Sequence, residues 1–280
     1  MTSSALVTGG AGGLGRATTD LLVEQGWHVF VTDSNLEALK TLQEHPRVTP
    51  IPMDVTNIQS IQATKELVAE KTTGLEAVIN FAGILVIGSM IEMDEAIMQK
   101  VLDINVMGTF RVNQVFFPLL QNNKGRIINI SSETGWQTSG PFNGAYSASK
   151  YAIEAYNDAL RRELALLGMT VIKIQPGAFN TSMVQSIESK FRQAMEQSTL
   201  FKSILARVGT LAAKEQSKSK DASILAQAVY RALTARRPKT SYSVKPSLER
   251  SLLEYLPTRW ADRLYKMVLT RSQQVEAGKE

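Results

Sequence analysis

Short apolar runs alternate with longer amphipathic stretches along most of the chain. The runs are rich in β-branched residues and cover 4–8, 27–32, 48–53, 77–80, 126–130, 170–174 and 241–244. Between them, apolar residues recur at helical spacing over 14–25, 35–43, 57–71, 96–121, 146–167 and 222–235. Runs such as ALVT and VFVT are apolar almost throughout, as strands covered on both faces are. The alternation predicts an α/β fold, a doubly wound parallel sheet of about seven strands with helices on both faces.

Composition and charge narrow the function. The 280 residues include no cysteine, which rules out disulfides, thiolate metal ligands and a cysteine nucleophile, and we expect no metal site. Residues 1–140 carry 9 basic and 14 acidic side chains, whereas residues 190–280 carry 18 and 8. The net charge of +5 therefore comes from the tail, and we expect no nucleic-acid partner. Without a signal peptide or a long apolar run, the sequence predicts a cytoplasmic protein, with any peripheral membrane contact made by the basic tail.

A glycine-rich turn joins the first predicted strand to the first predicted helix. Residues 8–15 read TGGAGGLG. Glycines permit a tight turn and remove the Cβ atoms that would keep a pyrophosphate away from the helix N-terminus, where free N–H groups favour an anion. The strand–turn–helix context predicts that Gly9, Gly13, Leu14 and Gly15 bind a dinucleotide.

A tyrosine and a lysine are the candidate reacting groups. Tyr146 and Lys150 lie four residues apart in a predicted helix and therefore share one of its faces. At an effective dielectric constant of about 20 and a distance of about 4 Å, the ammonium would favour the phenolate by about 4 kcal/mol, or about three pKa units. We expect this to lower the pKa of Tyr146 from about 10 towards about 7, a range useful for proton transfer.

These motifs, in this order, resemble the short-chain dehydrogenase/reductase family over roughly residues 3–182. The runs GAYSASK at 144–150 and LRREL at 160–164 look most like hydroxysteroid and retinol dehydrogenases. The resemblance implies a single Rossmann-type domain over 1–280. Within it we expect a cofactor-binding and catalytic core at 1–182, a substrate-covering segment at 183–221 and a basic amphipathic C-terminal extension at 246–280.

The resemblance also implies a nicotinamide cofactor. Asp33 ends the second strand, where its carboxylate can accept bonds from the adenosine ribose and would repel the 2′-phosphate of NADP. Ser34 brings no guanidinium for such a phosphate, and Arg16 is the residue that argues for NADP. NAD is therefore favoured over NADP. The family pattern assigns Asp54 to the adenine amino group and Thr181 to the nicotinamide carboxamide, and it adds as cofactor-binding residues Val55, Asn80, Ala82, Gly83, Tyr146, Lys150, Pro176 and Gly177.

The family's catalytic groups can be carried over residue by residue. The resemblance makes Tyr146 the acid/base and Lys150 the residue that binds the nicotinamide ribose. Ser132 would bind the substrate oxygen, although it precedes Tyr146 by 14 residues, one more than is usual, and Ser131 is the alternative. Asn105 would complete the set by holding a water at a kink in its helix. The implied activity is that of an NAD(P)-dependent alcohol dehydrogenase or ketoreductase.

The substrate side and the tail carry weaker signals. Residues 184, 187, 191, 194 and 195 form an apolar stripe that either covers a lipophilic alcohol or ketone, such as a steroid or retinoid, or is purely structural. The segment 212–221 is interpreted as a surface loop. The tail from 246 to 271 combines apolar residues with arginines and lysines, which suits either packing on the same or a neighbouring subunit or a helix on an anionic membrane. The largely apolar helices 96–121 and 146–167 suggest a homodimer or homotetramer.

Two other functions stay open at this point. A regulatory protein that senses NAD without catalysis would need Gly15 and Asp33 but no reactive phenol. A dehydratase or epimerase of the family's extended branch is disfavoured by the length of the chain.

Overall fold

Seven parallel strands form one sheet in the computed structural model, which describes residues 2–42, 45–216 and 219–270. The strands are β1 (Ser4–Thr8), β2 (His28–Asp33), β3 (Val48–Pro52), β4 (Ala77–Asn80), β5 (Arg126–Ile130), β6 (Thr170–Pro176) and β7 (Ser241–Val244). Their order across the sheet is β3-β2-β1-β4-β5-β6-β7. The predicted doubly wound sheet is therefore confirmed, and the order reverses between β1 and β4, where such sheets form a crevice at the strands' carboxyl ends.

Helices connect the strands and extend beyond the last one. They are α1 (Gly13–Glu24), α2 (Leu36–Lys40), α3 (Ile58–Ala69), α4 (Glu95–Leu102), α5 (Thr109–Asn123), α6 (Gly144–Ala165), α7 (Ser182–Gln185), α8 (Ile187–Gln197), α9 (Lys202–Gln216), α10 (Ala222–Thr234), α11 (Leu248–Leu253) and α12 (Thr258–Thr270). Short polar side chains begin several of them, because they satisfy the free N–H groups of the first turn. Asn57, for example, accepts from the N–H groups of Gln59 and Ser60. In the part of the chain that the structure describes, no helix is long and apolar enough to cross a membrane.

Side-chain alternation along the strands divides the core into two layers. Val7 and Ile128 face α1 and α10, in a cluster that includes Leu22 and Val229. Their strand neighbours point the other way, towards α3 and α5, as Leu6 does beside Phe116. Both faces of the sheet are thus covered by helices, which explains why the strands read as continuous apolar runs.

The structure corrects two sequence-based boundaries. The helix expected over 96–121 is interrupted by a π-helical stretch, Asp103–Gly108, between α4 and α5. The surface loop expected over 212–221 is wrong for its first part, because α9 continues through Gln216, while residues 217 and 218 lie outside the described residues. The helix continues there because Val208 and Ala212, four residues apart, pack against the buried side chains of Phe191 and Leu205.

Candidate active site

The glycine turn after β1 is shaped by close approaches of the backbone. Gly9 and Gly13 have positive φ angles of 64° and 51°, a conformation that favours glycine. A Cβ atom at Gly9 would lie 2.8 Å from the backbone nitrogen of Ala82, and one at Gly15 would collide with the carbonyl oxygen of Gly9. The turn therefore leaves a side-chain-free cradle at the start of α1, as a bound dinucleotide requires.

A cavity of about 920 Å³ runs from this cradle along the carboxyl edge of the sheet. It brings together most of the residues predicted from the sequence, although they come from loops far apart in the chain. The predicted cofactor and catalytic residues that line it are Gly9, Gly13, Leu14, Gly15, Asp33, Val55, Ala82, Gly83, Ser132, Tyr146, Lys150, Pro176, Gly177 and Thr181. The same cavity is also lined by apolar side chains such as Ile187, Phe191 and Val208.

Asn80, Asp54 and Asn105 do not line the cavity. Asn80 is 3% exposed, and its amide donates to Asn113 of α5 at 2.8 Å and to Asn129 of β5 at 3.0 Å. These bonds tie β4 to β5 and α5, and the cofactor contact expected of Asn80 stays a prediction. The exposed carboxylate of Asp54 accepts from the backbone N–H of Thr56 at 2.8 Å, so its contact with adenine stays a prediction.

Asp33 lies at the cavity end formed by the turn after β2. Its carboxylate accepts from the backbone N–H of Ala11 at 3.3 Å and from that of Asn35 at 3.0 Å. Arg16, the residue that argued for NADP, is engaged elsewhere, since its guanidinium donates to Asp20 at 2.8 Å and to Thr41 at 2.9 Å. This end of the cavity is therefore bounded by a fixed carboxylate.

Ser132, Tyr146 and Lys150 meet beyond the end of β5. The Ser132 side chain acts on the phenol of Tyr146 by lowering its pKa, and the Ser132 hydroxyl accepts the Thr134 N–H at 3.2 Å. Ser131 also lines the cavity, but its hydroxyl donates to the carbonyl of Lys150, at 3.5 Å. Of these two serines, Ser132 is the one whose side chain acts on the phenol, and its role in binding the substrate oxygen stays a prediction.

The environment shifts both ionisable groups towards their neutral forms. Burial raises the pKa of the half-buried Tyr146 to about 12, a hydrogen bond from Ser132 opposes this, and the Glu133 carboxylate adds to it. Burial lowers the pKa of Lys150 to about 8, against the attraction of Glu154. The expected lowering of the phenol pKa is therefore wrong for this structure, because burial is the largest influence on that pKa and the Lys150 ammonium lies 5.6 Å from the Tyr146 ring centroid.

Asn105 lies in the π-helical stretch and ties together three parts of the site. Its side chain accepts from the Ile84 N–H at 2.8 Å and donates to the Ile84 carbonyl at 3.0 Å. It also donates to the Ser149 hydroxyl at 2.9 Å. The irregular helix expected around Asn105 is present, and the side chain joins the loop after β4 to α6. Its role in holding a water stays a prediction.

Helices α8 and α9, between β6 and β7, lie at the apolar end of the cavity. Ile187 and Phe191 of α8 and Val208 and Leu211 of α9 line that end, and Ile187 and Phe191 belong to the apolar stripe, which also packs in a core cluster with Leu205. Glu92, in the loop after β4, fastens the turn between the two helices by accepting from Ser198 at 2.6 Å and from Leu200 at 2.9 Å. These bonds lower the pKa of Glu92 to about 2.

Seven of the cavity residues that the sequence reasoning missed lie next to Ser132 or in the C-terminal segment. They are Glu133, next to Ser132, and, from α11 and α12, Glu249, Arg250, Leu253, Tyr265, Val268 and Leu269. A signal was present in the tail, since Tyr265, Val268 and Leu269 have the spacing of one helix face, but that apolar face was assigned to a membrane or subunit contact.

A family model described as short chain dehydrogenase matches residues 3–192. The chain belongs to this family. The short-chain dehydrogenases are oxidoreductases that bind a nicotinamide cofactor, and this one is of the retinol and hydroxysteroid dehydrogenase type. Retinol dehydrogenase 16 of Rattus norvegicus is 30% identical over 279 residues, which cover 92% of this chain and 86% of that protein.

Two further comparisons agree with this dehydrogenase assignment. Estradiol 17-beta-dehydrogenase 2 of Rattus norvegicus is 36% identical over 193 residues, or 66% of this chain and 50% of that protein. The solved structure of a variant of actinorhodin polyketide ketoreductase with NADPH superposes with a TM-score of 0.74 at 28% identity, over 87% of this chain and 95% of that one. The resemblance inferred from the motifs is therefore confirmed.

Proposed function

We propose that this short-chain dehydrogenase transfers a hydride between NAD(H) and a lipophilic alcohol or ketone of the steroid or retinoid kind. The observation that carries the proposal is the meeting of Ser132, Tyr146 and Lys150 in the cavity that also contains the glycine cradle. When bound, the nicotinamide supplies or accepts the hydride. We also propose that residues 1–182 hold the cofactor and that residues 183–221 cover the substrate.

In this proposal the chain's own groups handle the proton and the substrate oxygen. During reduction Tyr146 donates its phenolic proton to the carbonyl oxygen, and during oxidation it accepts the proton of the alcohol. Ser132 donates to the same oxygen and stabilises the charge that develops on it. The Lys150 ammonium uses one proton on the Ile130 carbonyl at 2.9 Å, and its other two protons can bind the ribose of the cofactor.

The preference for NAD is supported by the charges at the adenosine end. Asp33 would accept from the ribose hydroxyls and repel a 2′-phosphate. Among the described residues, the cationic side chains on the cavity wall are Lys150, beside the phenol, and Arg250, from the C-terminal segment. Neither belongs to the turn that carries Asp33, so we infer no phosphate-binding cation there, even though the related polyketide ketoreductase was solved with NADPH.

The lipophilic substrate is supported by the other end of the cavity. Apolar side chains from the loop after β4 and from α8, α9 and α12 form its wall: Ile84, Leu85, Ile87, Ile187, Phe191, Val208, Leu211, Val268 and Leu269. An apolar wall favours a ligand with a large hydrocarbon surface and places few constraints on polar groups. The relatives named for retinol and estradiol agree with such a substrate class.

The deciding experiment is a panel of lipophilic alcohols with NAD and NADP, followed at the NADH absorbance. We expect oxidation of at least one steroid or retinoid alcohol with NAD, and Tyr146→Phe should lower kcat by a factor on the order of 10²–10⁴ while NADH affinity stays within threefold. NADH binding without turnover of any alcohol or ketone would instead support a cofactor-sensing protein. A Tyr146→Phe variant with unchanged kcat would exclude the phenol as acid/base.

We further propose a peripheral membrane contact through α12. Two apolar side chains on the face of α12 that does not line the cavity are exposed: Trp260 by 64% and Leu264 by 40%. Arg259, Arg263 and Lys266 lie on the adjoining side of the helix. Apolar and basic residues arranged in this way favour a helix lying in the headgroup region of an anionic membrane.

Vesicle co-sedimentation tests this contact. Trp260→Ser with Leu264→Ser should reduce binding to phosphatidylserine-containing vesicles about tenfold or more, because both apolar anchors are lost. Leu166→Ser is the matched control, since Leu166 is 87% exposed at the far end of α6. Equal binding of the double variant, the control and the unmodified chain would exclude the contact.

A further inference from the structure

The C-terminal helix has two apolar faces, and one of them is turned to the cavity. Tyr265, Val268 and Leu269 are spaced at i, i+3 and i+4, and all three line the cavity. α12 also packs against α9, which supplies Val208 and Leu211 to the same cavity. The apolar end of the cavity is therefore enclosed by the covering segment together with α12, and α12 is a wall of the site rather than an appendage.

Hydrogen bonds hold α11 and the residues next to its two ends against the loop that carries Ser132. The Glu133 carboxylate accepts the Ser247 N–H at 2.6 Å. Five residues along the loop, Thr138 donates its N–H to Glu254 at 2.7 Å and its hydroxyl to the same carboxylate at 2.9 Å. Between these contacts, the Gln137 amide donates to the Ser251 hydroxyl at 3.0 Å. α11 is thus held along its length against the loop.

The residues just before α11 are also fixed, next to the cofactor half of the cavity. A Cβ atom at Gly177 would collide with the carbonyl oxygen of Lys245, so the chain just before α11 lies directly against the turn after β6. The Gly177 N–H donates to the carbonyl of Val244 at 3.0 Å. β7, the loop after β5 and the turn after β6 therefore hold residues 244–254, which lead into α12, and α12 itself packs against α9.

We propose that α12 sets the size limit of the substrate, with Leu269 and Tyr265 as specificity-determining residues. The inference rests on the proposed dehydrogenase function, and it concerns the hydrocarbon part of the substrate, because both side chains lie on the apolar wall. A larger side chain at 269 narrows the cavity and excludes bulky substrates. A smaller side chain enlarges the cavity and admits them.

The test compares Leu269 with Met267, two residues away on the same helix. Met267 is 50% exposed and does not line the cavity, so Met267→Trp adds the same bulk outside it. The readout is kcat/KM with NAD for a bulky alcohol, estradiol, relative to a small one, cyclohexanol. Leu269→Trp should lower this ratio about tenfold or more, and Met267→Trp should leave it within twofold. Equal shifts in both variants, or none in Leu269→Trp, would overturn the inference.

A binding measurement separates this inference from the proposed activity. Retinol, followed by its own fluorescence, is the probe, and its binding requires no turnover. Leu269→Trp should weaken retinol binding about tenfold, whereas Met267→Trp should not. If these binding results hold but no alcohol is oxidised, the inference that α12 limits ligand size is supported and the dehydrogenase proposal fails. If alcohols are oxidised but Leu269→Trp binds retinol as the unmodified chain does, the inference about α12 is overturned while the dehydrogenase proposal is supported.

A folding control completes the design. Circular dichroism and Tm are recorded for every variant. Should Leu269→Trp fail to fold, Leu269→Ala takes its place with the opposite expectation, a rise in the estradiol-to-cyclohexanol ratio of about threefold or more, against no change in Met267→Ala. A ratio unchanged in Leu269→Ala would then overturn the inference.

Discussion

The ammonium of Lys150 donates a hydrogen bond of 2.9 Å to the carbonyl oxygen of Ile130. Ile130 is the last residue of β5, and Ser132 follows two residues later. This one bond therefore fixes the helix that carries Tyr146 against the strand end that leads to Ser132. The lysine is 6% exposed, and a buried cation with a neutral acceptor favours losing its proton, which is why its pKa is lowered to about 8.

The first prediction concerns the pH dependence of carbonyl reduction. Reduction needs a neutral phenol, and with a Tyr146 pKa of about 12 the phenol stays neutral throughout the physiological range. We expect kcat/KM for reduction with NADH to be flat from about pH 6 to about pH 8 and to fall only above that, as Lys150 loses its proton. A tenfold fall in kcat/KM per pH unit beginning near pH 7 would instead indicate that the phenol pKa is lowered, as the Tyr146–Lys150 spacing predicted.

The second prediction is that Lys150 destabilises the fold. Its pKa is about 8 in the folded protein against an ordinary 10.5, so folding disfavours the proton at a cost of up to about 3 kcal/mol, present in full below pH 8. Lys150→Met removes this cost but leaves the Ile130 carbonyl without its lysine donor. The lost hydrogen bond costs about 1–3 kcal/mol, which offsets part of the gain in stability. We expect Tm to rise by a few degrees below pH 8 and activity to be lost.

The pH dependence of the stability gain tests its cause. Between pH 8 and 10.5 the unfolded chain retains the proton that the folded chain releases, so the stability of the unmodified protein rises with pH. The advantage of Lys150→Met should therefore shrink across this window. Lys100→Met, at an exposed position on α4, is the control and should give no such trend. A gain that is constant from pH 7 to 10.5 would rule out burial of the Lys150 charge as its source.

The third prediction concerns the choice of cofactor. Replacing Asp33 with Ser and Ser34 with Arg removes the carboxylate that would repel a 2′-phosphate and adds a guanidinium that would bind it. We expect the NADP-to-NAD ratio of kcat/KM to rise by a factor on the order of 10²–10³, since a charge-assisted hydrogen bond is gained and a repulsion is lost. Initial rates with both cofactors give the ratio.

Asp54→Asn provides the comparison for this cofactor experiment. Asp54 is exposed, accepts from Thr56 and does not line the cavity, so we expect the NADP-to-NAD ratio to stay within twofold. If the NADP-to-NAD ratio changes in Asp54→Asn but not in the variant with Asp33→Ser and Ser34→Arg, the assignment of the adenosine end to the turn after β2 is wrong.

The sheet was predictable because its strands are covered on both faces. Continuous apolar runs such as residues 29–31 suit strands covered on both faces, and the bounds of β1, β4, β5 and β7 agree with the sequence prediction. The glycine turn was predictable for a similar reason, since Gly9 and Gly15 leave no room for a Cβ atom. Local sterics and burial act within a few residues, and a single sequence records them directly.

Other features depend on partners distant in the chain, and the sequence did not reveal them. The Asn80 amide, for example, donates to Asn113 and Asn129, which lie 33 and 49 residues away along the chain, and no local pattern identifies these partners. The pKa of Tyr146 depends on how deeply the helix face is buried, which the spacing to Lys150 cannot give. The C-terminal wall depends on contacts such as Glu133 with Ser247, 114 residues apart.

The fourth prediction is that Glu254 holds the C-terminal segment in place. Its carboxylate accepts both the N–H and the hydroxyl of Thr138, and Glu254→Ala removes both acceptors. The site is exposed, so the loss of stability should be small, about 1 kcal/mol, but the Thr138 amide should exchange with deuterium at least several times faster. Because α12 is then held less firmly, KM for a bulky alcohol should rise more than kcat falls. Asp262→Ala removes an exposed carboxylate from α12 itself and should change neither quantity, so equal effects of the two substitutions would show that charge, and not the contact with Thr138, is responsible.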